Sequence, residues 1–87
     1  MIGDEFHVAS YVVRTRPEDA AQVAQSLVAI SGLEVHAVEH GKLIVTAEAR
    51  SARDLAHTAD AITAVDSVLT VAPVYHEYSG AAQSAAE

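Results

Sequence analysis

Residues 6–14, Phe-His-Val-Ala-Ser-Tyr-Val-Val-Arg, are apolar on both parities and rich in β-branched and aromatic types, which predicts a short strand rather than a helix. Thr15 and Glu18 then stand at capping-box spacing, with Pro17 between them and Asp19 following, so a helix is expected to begin here. Ala20, Val23, Ala24, Leu27 and Ile30 form its apolar stripe, Gln22, Gln25 and Ser26 its wet side, and Gly32 its left-handed stop.

Leu33, Val35 and Ala37 alternate with Glu34, His36 and Val38, and Leu43, Val45 and Ala47 alternate with Ile44, Thr46 and Glu48. His40-Gly41 between them completes a hairpin. Ser51, with Asp54 three residues on, opens a second helix that should bury Ala52, Leu55, Ala59 and Ile62 and fade near Val65. Val68 to His76 is the last strand. Its Pro73 lacks an amide to donate, which assigns the strand to a sheet edge. One domain over 5–77 is expected, and the small, polar residues 78–87 should be disordered.

Strand, helix, strand, strand, helix, strand with right-handed crossovers predicts an α+β, ferredoxin-like split βαβ sandwich: an antiparallel four-stranded sheet ordered 4-1-3-2 with two helices on one face. The other face is left uncovered by this chain. Parity places Glu34, His36, Val38, Ile44, Thr46 and Glu48 on it. In strand one, Val8, Ser10 and Val12 are expected to be buried, which exposes His7, Ala9, Tyr11 and Val13. In strand four, burial of Leu69 and Val71 exposes Thr70, Ala72, Val74 and His76. An apolar strip with a histidine and acidic rim suits the docking of another element.

Composition narrows what that element can be. The 87 residues are enough for one core and no internal cleft, because a chain this short buries only about 60% of its unfolded surface. Twelve acidic against five basic side chains, a net charge of −7, oppose nucleic acid and anionic membranes and favour a cationic partner. The absence of cysteine removes disulfides, thiolate metal sites and thiol catalysis. Asp4 and Glu5 stand where a secretory signal needs positive charge, and no apolar run approaches a membrane span, which predicts a soluble, cytoplasmic protein.

Candidate chemistry is sparse. None of His7, His36, His40, His57 and His76 forms a helical i, i+4 ligand pair, so neither a metal site nor a catalytic histidine is expected. No nucleotide-binding or nucleophile-elbow fingerprint occurs. Without asparagine, a Cys-x-x-Cys or a basic-aromatic array, the acylphosphatase, metal-chaperone and RNA-binding branches of this fold each lack their chemistry. Arg14, Arg16, Arg50 and Arg53 follow strands one and three. Taken as parallel neighbours, those strands would gather all four arginines at one pole.

Four segments resemble the NapD family, the small chaperones of the periplasmic nitrate reductase: His-Val-Ala-Ser-Tyr-Val-Val (7–13), Ser-Gly-Leu-Glu-Val (31–35), Gly-Lys-Leu-Ile-Val-Thr-Ala-Glu-Ala (41–49) and Val-Leu-Thr-Val-Ala-Pro-Val-Tyr-His-Glu (68–77). The resemblance covers residues 6–77, with the closing Val-Tyr-His its most specific piece. It implies a cytoplasmic, cofactor-free and non-enzymatic chaperone with the same fold. Its partner would be the twin-arginine signal peptide of the catalytic subunit precursor, held as a helix against the sheet until the molybdenum cofactor is in place. The carboxylates of Glu34, Glu48 and Glu39 would meet the arginines. Tyr11, Val13, Ile44 and Val74 would receive the apolar stretch, with His36, Val38, Thr46 and His76 completing the face. A monomer with room for weak self-association is expected. The alternative is an ACT-like or leucine-responsive-regulator-type small-molecule-binding dimerisation module, although Arg14 to Glu18 lacks the glycine such modules place after the first strand.

Overall fold

The computed structural model describes residues 6–79. The elements are β1 (Phe6–Arg14), a 3-10 turn (Pro17–Asp19), α1 (Ala20–Val28), β2 (Leu33–Glu39), β3 (Lys42–Ala49), α2 (Ala52–Thr63) and β4 (Thr70–Ser79). The sheet runs β2-β3-β1-β4, with each neighbouring pair antiparallel. This is the expected ferredoxin-like order read from the opposite edge. Helix α1 lies over β2 and β3, and α2 over β3, β1 and β4, so both cover the same face.

The core between the layers is built on Val13, Val23, Leu27, Leu43, Val45 and Ile62, all fully buried. Burying each such side chain contributes about 1.5–3 kcal/mol, which lets a thin, alanine-rich sandwich hold together without staples. Both predicted helical stripes hold in outline. Ala20, Val23 and Leu27 are buried in α1, and Leu55 and Ile62 in α2, while Ala52 is exposed.

Local chemistry sets the boundaries. Ser51 caps α2 as expected, its Oγ accepting from the Asp54 amide at 3.0 Å. The capping box at Thr15 does not form. Thr15 is buried, its amide donates to the Gly41 carbonyl at 2.8 Å and its hydroxyl to the Arg16 carbonyl at 2.6 Å, so Pro17–Asp19 enters α1 as a 3-10 turn. His40 (φ 51) and Gly41 (φ 81) occupy the centre of the hairpin loop, where a tight two-residue turn demands positive φ. A Cβ on Gly41 would collide with the Thr15 carbonyl oxygen, so the hairpin and the end of β1 are locked together there.

Strand β4 lies at an edge, as Pro73 requires, and runs to Ser79, two residues past the expected domain end. Residues 80–87, the rest of the expected disordered tail, lie outside those described. Leu69 is 58% exposed rather than buried, because β4 begins at Thr70, two residues after the expected Val68.

Antiparallel pairing overturns the expected arginine pole. Arg14 pairs with Lys42 at one end of the β1–β3 ladder and His7 with Ala49 at the other. Arg14 and Arg16 therefore lie at one end of the sheet, and Arg50 and Arg53 follow β3 at the opposite end. The split βαβ topology itself enforces this, since β3 must run against β1 to fit between it and β2.

Candidate functional site

Each cross-strand pair shares a face, so the register defines the surface opposite the helices. Its first row is Glu39, Lys42, Arg14 and Thr70 across the four strands. The second is Ala37, Ile44, Val12 and Ala72, and the third Glu34, Thr46, Ser10 and Tyr75. Glu48, Val8 and Glu77 form the fourth, over the three strands that reach it.

Strand one thus presents the opposite parity from the expected one. Tyr11 pairs with Val45 and Val13 with Leu43, and all four are buried under the helices. His7 and Ala9 are buried with them, while Val8, Ser10 and Val12 line the open face. The reason is volume. Alanine-rich α1 and α2 leave room that a small residue would not fill, and Tyr11 is the bulky side chain β1 supplies. Burial in that apolar layer raises its phenol pKa above the ordinary value.

Two bulges alter the edge strands. In β2 the register shifts between Val35 and Ala37, so His36 is the extra residue. Val35 pairs with Val45 on the helix side, and alternation turns His36 outward, where its Nε2 lies 2.7 Å from Thr46 Oγ1 and 3.6 Å from Glu34 Oε1. Past the bulge Val38 pairs with Leu43, which removes Val38 from the open face. In β4 the shift falls between Pro73, opposite Tyr11, and Tyr75, opposite Ser10. Val74 is the extra residue and turns outward, 59% exposed. His76 then pairs with Ala9 on the helix side, with its Nε2 3.2 Å from His7 Nδ1.

Of the sequence-predicted site residues, Glu34, His36, Glu39, Ile44, Thr46, Glu48 and Val74 share the open face, with Glu39 at the opposite end from Glu34 and Glu48. Tyr11, Val13, Val38 and His76 do not. The face gains Val8, Val12, Ala37, Tyr75 and Glu77, and the Tyr75 hydroxyl donates to Glu77 Oε1 at 3.3 Å. The Glu77 charge, then desolvation and that hydrogen bond, raise the Tyr75 pKa. Pro73 was the available signal for the missing pair, since proline within a strand marks a bulge and a bulge reverses every parity after it.

The face is therefore a short apolar band, centred on Ile44 and Val12, between two charged ends. Glu34, Glu48 and Glu77 make one end acidic, and among the described residues none of them pairs with a lysine or arginine. Arg14 and Lys42 stand side by side at the other end, beside an open depression of about 340 Å³ that Glu39 and His40 help to line. Among the described residues no group of three or more potential metal ligands converges, and no helix is long and apolar enough to cross a membrane.

A split βαβ sandwich with one layer of helices over a four-stranded antiparallel sheet places the chain in the ferredoxin-like class of small α+β domains. Comparison with known proteins supplies the family. The model of the NapD protein family matches residues 6–79, and the chain belongs to that family. It is 30% identical over 71 residues to "Chaperone NapD" of Paracoccus pantotrophus, a match covering 82% of this chain and 63% of that protein. The chain thus spans less than two thirds of that relative's length. The solution structure of the E. coli Tat proofreading chaperone protein NapD superposes with a TM-score of 0.78 at 34% identity, over 83% of this chain and 78% of the other. These relatives are named as chaperones and not as enzymes, which supports a non-enzymatic role.

Proposed function

We propose that this protein is a cytoplasmic chaperone that binds the twin-arginine signal peptide of a periplasmic nitrate reductase precursor and withholds it from export until the molybdenum cofactor is inserted. The observation that carries this reading is the sheet face that no described element covers, where an apolar band borders carboxylates that have no lysine or arginine partner among the described residues. A twin-arginine signal joins a cationic segment to an apolar one, the complement of that surface. Family membership and the chaperone names of the relatives support the same reading. Burial of the peptide's apolar stretch on Val12, Ile44 and Val74 would supply most of the affinity. Charge-assisted hydrogen bonds from its arginines would fix register.

Titration calorimetry with a synthetic twin-arginine signal peptide tests this. Saturable binding is expected, weakened at least tenfold by Ile44→Asp while the circular dichroism spectrum is unchanged. Absence of binding, or equal affinity for the wild type and a folded Ile44→Asp variant, would overturn it. A stable dimer by light scattering that binds no peptide would favour the dimerisation module instead.

A further inference from the structure

The distribution of charge along the open face carries an inference that rests on the peptide-binding reading and goes beyond it. Six residues separate Lys42 from Glu48 along β3, about 20 Å at the usual strand rise. About 13 helical residues span the same length, and a helix about 10 Å across fits the width of a four-stranded sheet. Over that span the face passes from Arg14 and Lys42, with Glu39 next to Lys42, through Ile44, Val12 and Ala72, to Glu48 and Glu77 with Glu34 beside them.

We propose that this axis fixes the direction of the bound segment: it lies as a helix along the strands, with its cationic N-terminal end over Glu34, Glu48 and Glu77 and its C-terminal end over Arg14 and Lys42. Two independent electrostatic effects have the same sign. The arginines of the segment meet three carboxylates at one end, whereas at the other they would meet two cations against the single carboxylate of Glu39. The helix macrodipole places its partial positive charge, at the N-terminus, beside the carboxylates and its partial negative charge beside Arg14 and Lys42. Reversal makes both effects unfavourable at once, while burial of the central apolar band is unchanged. Direction is therefore decided by charge even if affinity is dominated by apolar burial.

The test uses the full chain, labelled with nitrogen-15, and a synthetic twin-arginine signal peptide carrying a nitroxide at either its N- or its C-terminus. With the N-terminal label, amide signals of Val8, Glu48 and Glu77 should broaden and those of Arg14 and Lys42 persist, and the C-terminal label should give the converse. The opposite pattern, or equal broadening at both ends by each label, overturns the direction and leaves the peptide-binding reading standing. No binding overturns both. In a parallel double-mutant cycle, Glu48→Gln should couple to replacement of the peptide's arginines by glutamine, and Lys42→Gln should not. Coupling at Lys42 and none at Glu48 overturns the direction as well.

Discussion

Tyr11 and Val45 face each other across the central strand pair, and both side chains point into the layer beneath the helices. The neighbouring pair, Val12 and Ile44, points the other way. Adjacent residues of β1 thus belong to different systems, one to stability and one to binding.

Truncation separates the two. Tyr11→Ala should destabilise the fold by about 3–5 kcal/mol, as for other large aromatic truncations in cores. Val12→Asp should cost about 1 kcal/mol of stability, the span of strand propensity, yet reduce signal-peptide affinity about tenfold. Denaturant titration and calorimetry on the same two variants check this. Tenfold weaker binding to folded Tyr11→Ala, with Val12→Asp silent, would contradict the assignment of faces.

Burial of Tyr11 also sets an alkaline limit. Its phenol titrates higher in the folded than in the unfolded chain, so the folded state holds its proton more tightly. The resulting stability is fully present below the unfolded value of roughly 10 and is lost as pH rises through the folded one. Tyr11→Phe should therefore match the wild type in relative stability from pH 7 to 9 and lose less of it by pH 11. Urea midpoints across that range measure the difference. Tyr75 shifts the same way but is present in both proteins, so it cancels.

Gly41 is required by backbone geometry twice over, through its φ of 81° and through the approach of the Thr15 carbonyl. Gly41→Ala should cost about 2 kcal/mol or more, exceeding the penalty of the left-handed conformation alone. Thermal unfolding should show a lowered midpoint. Protection from amide exchange at Thr15, which donates to Gly41, should fall more than at Ala64 in the α2 cap.

The α2 cap offers a milder contrast. Ser51→Ala removes the acceptor for the Asp54 amide and should cost about 1 kcal/mol, whereas Ser51→Asp should be nearly neutral. Denaturant midpoints distinguish the three proteins.

Element order, the alternation of β3, the hairpin at His40-Gly41, the Ser51 cap and the edge position of β4 were all legible in the sequence, because each follows from local rules of periodicity, turn geometry and missing donors. The open-face position of seven of the eleven candidate residues was legible for the same reason, chiefly in β2 and β3, where apolar and polar positions alternate. The sequence by itself also determined the chemical bias: an acidic, cysteine-free chain with a sheet face that its predicted helices leave open.

Only the tertiary structure decided which parity of β1 faces the helices, since both parities are apolar and alternation carries no information there. Volume under the helices and register with β3 made that choice. Tertiary pairing also decided the two bulges, which add one residue at His36 and one at Val74 and so reverse the faces of Val38 and His76. The same ladders separated Arg14 and Lys42 from Glu48 and Glu77. Composition counts those charges, but their order along the face depends on antiparallel pairing between strands distant in the chain.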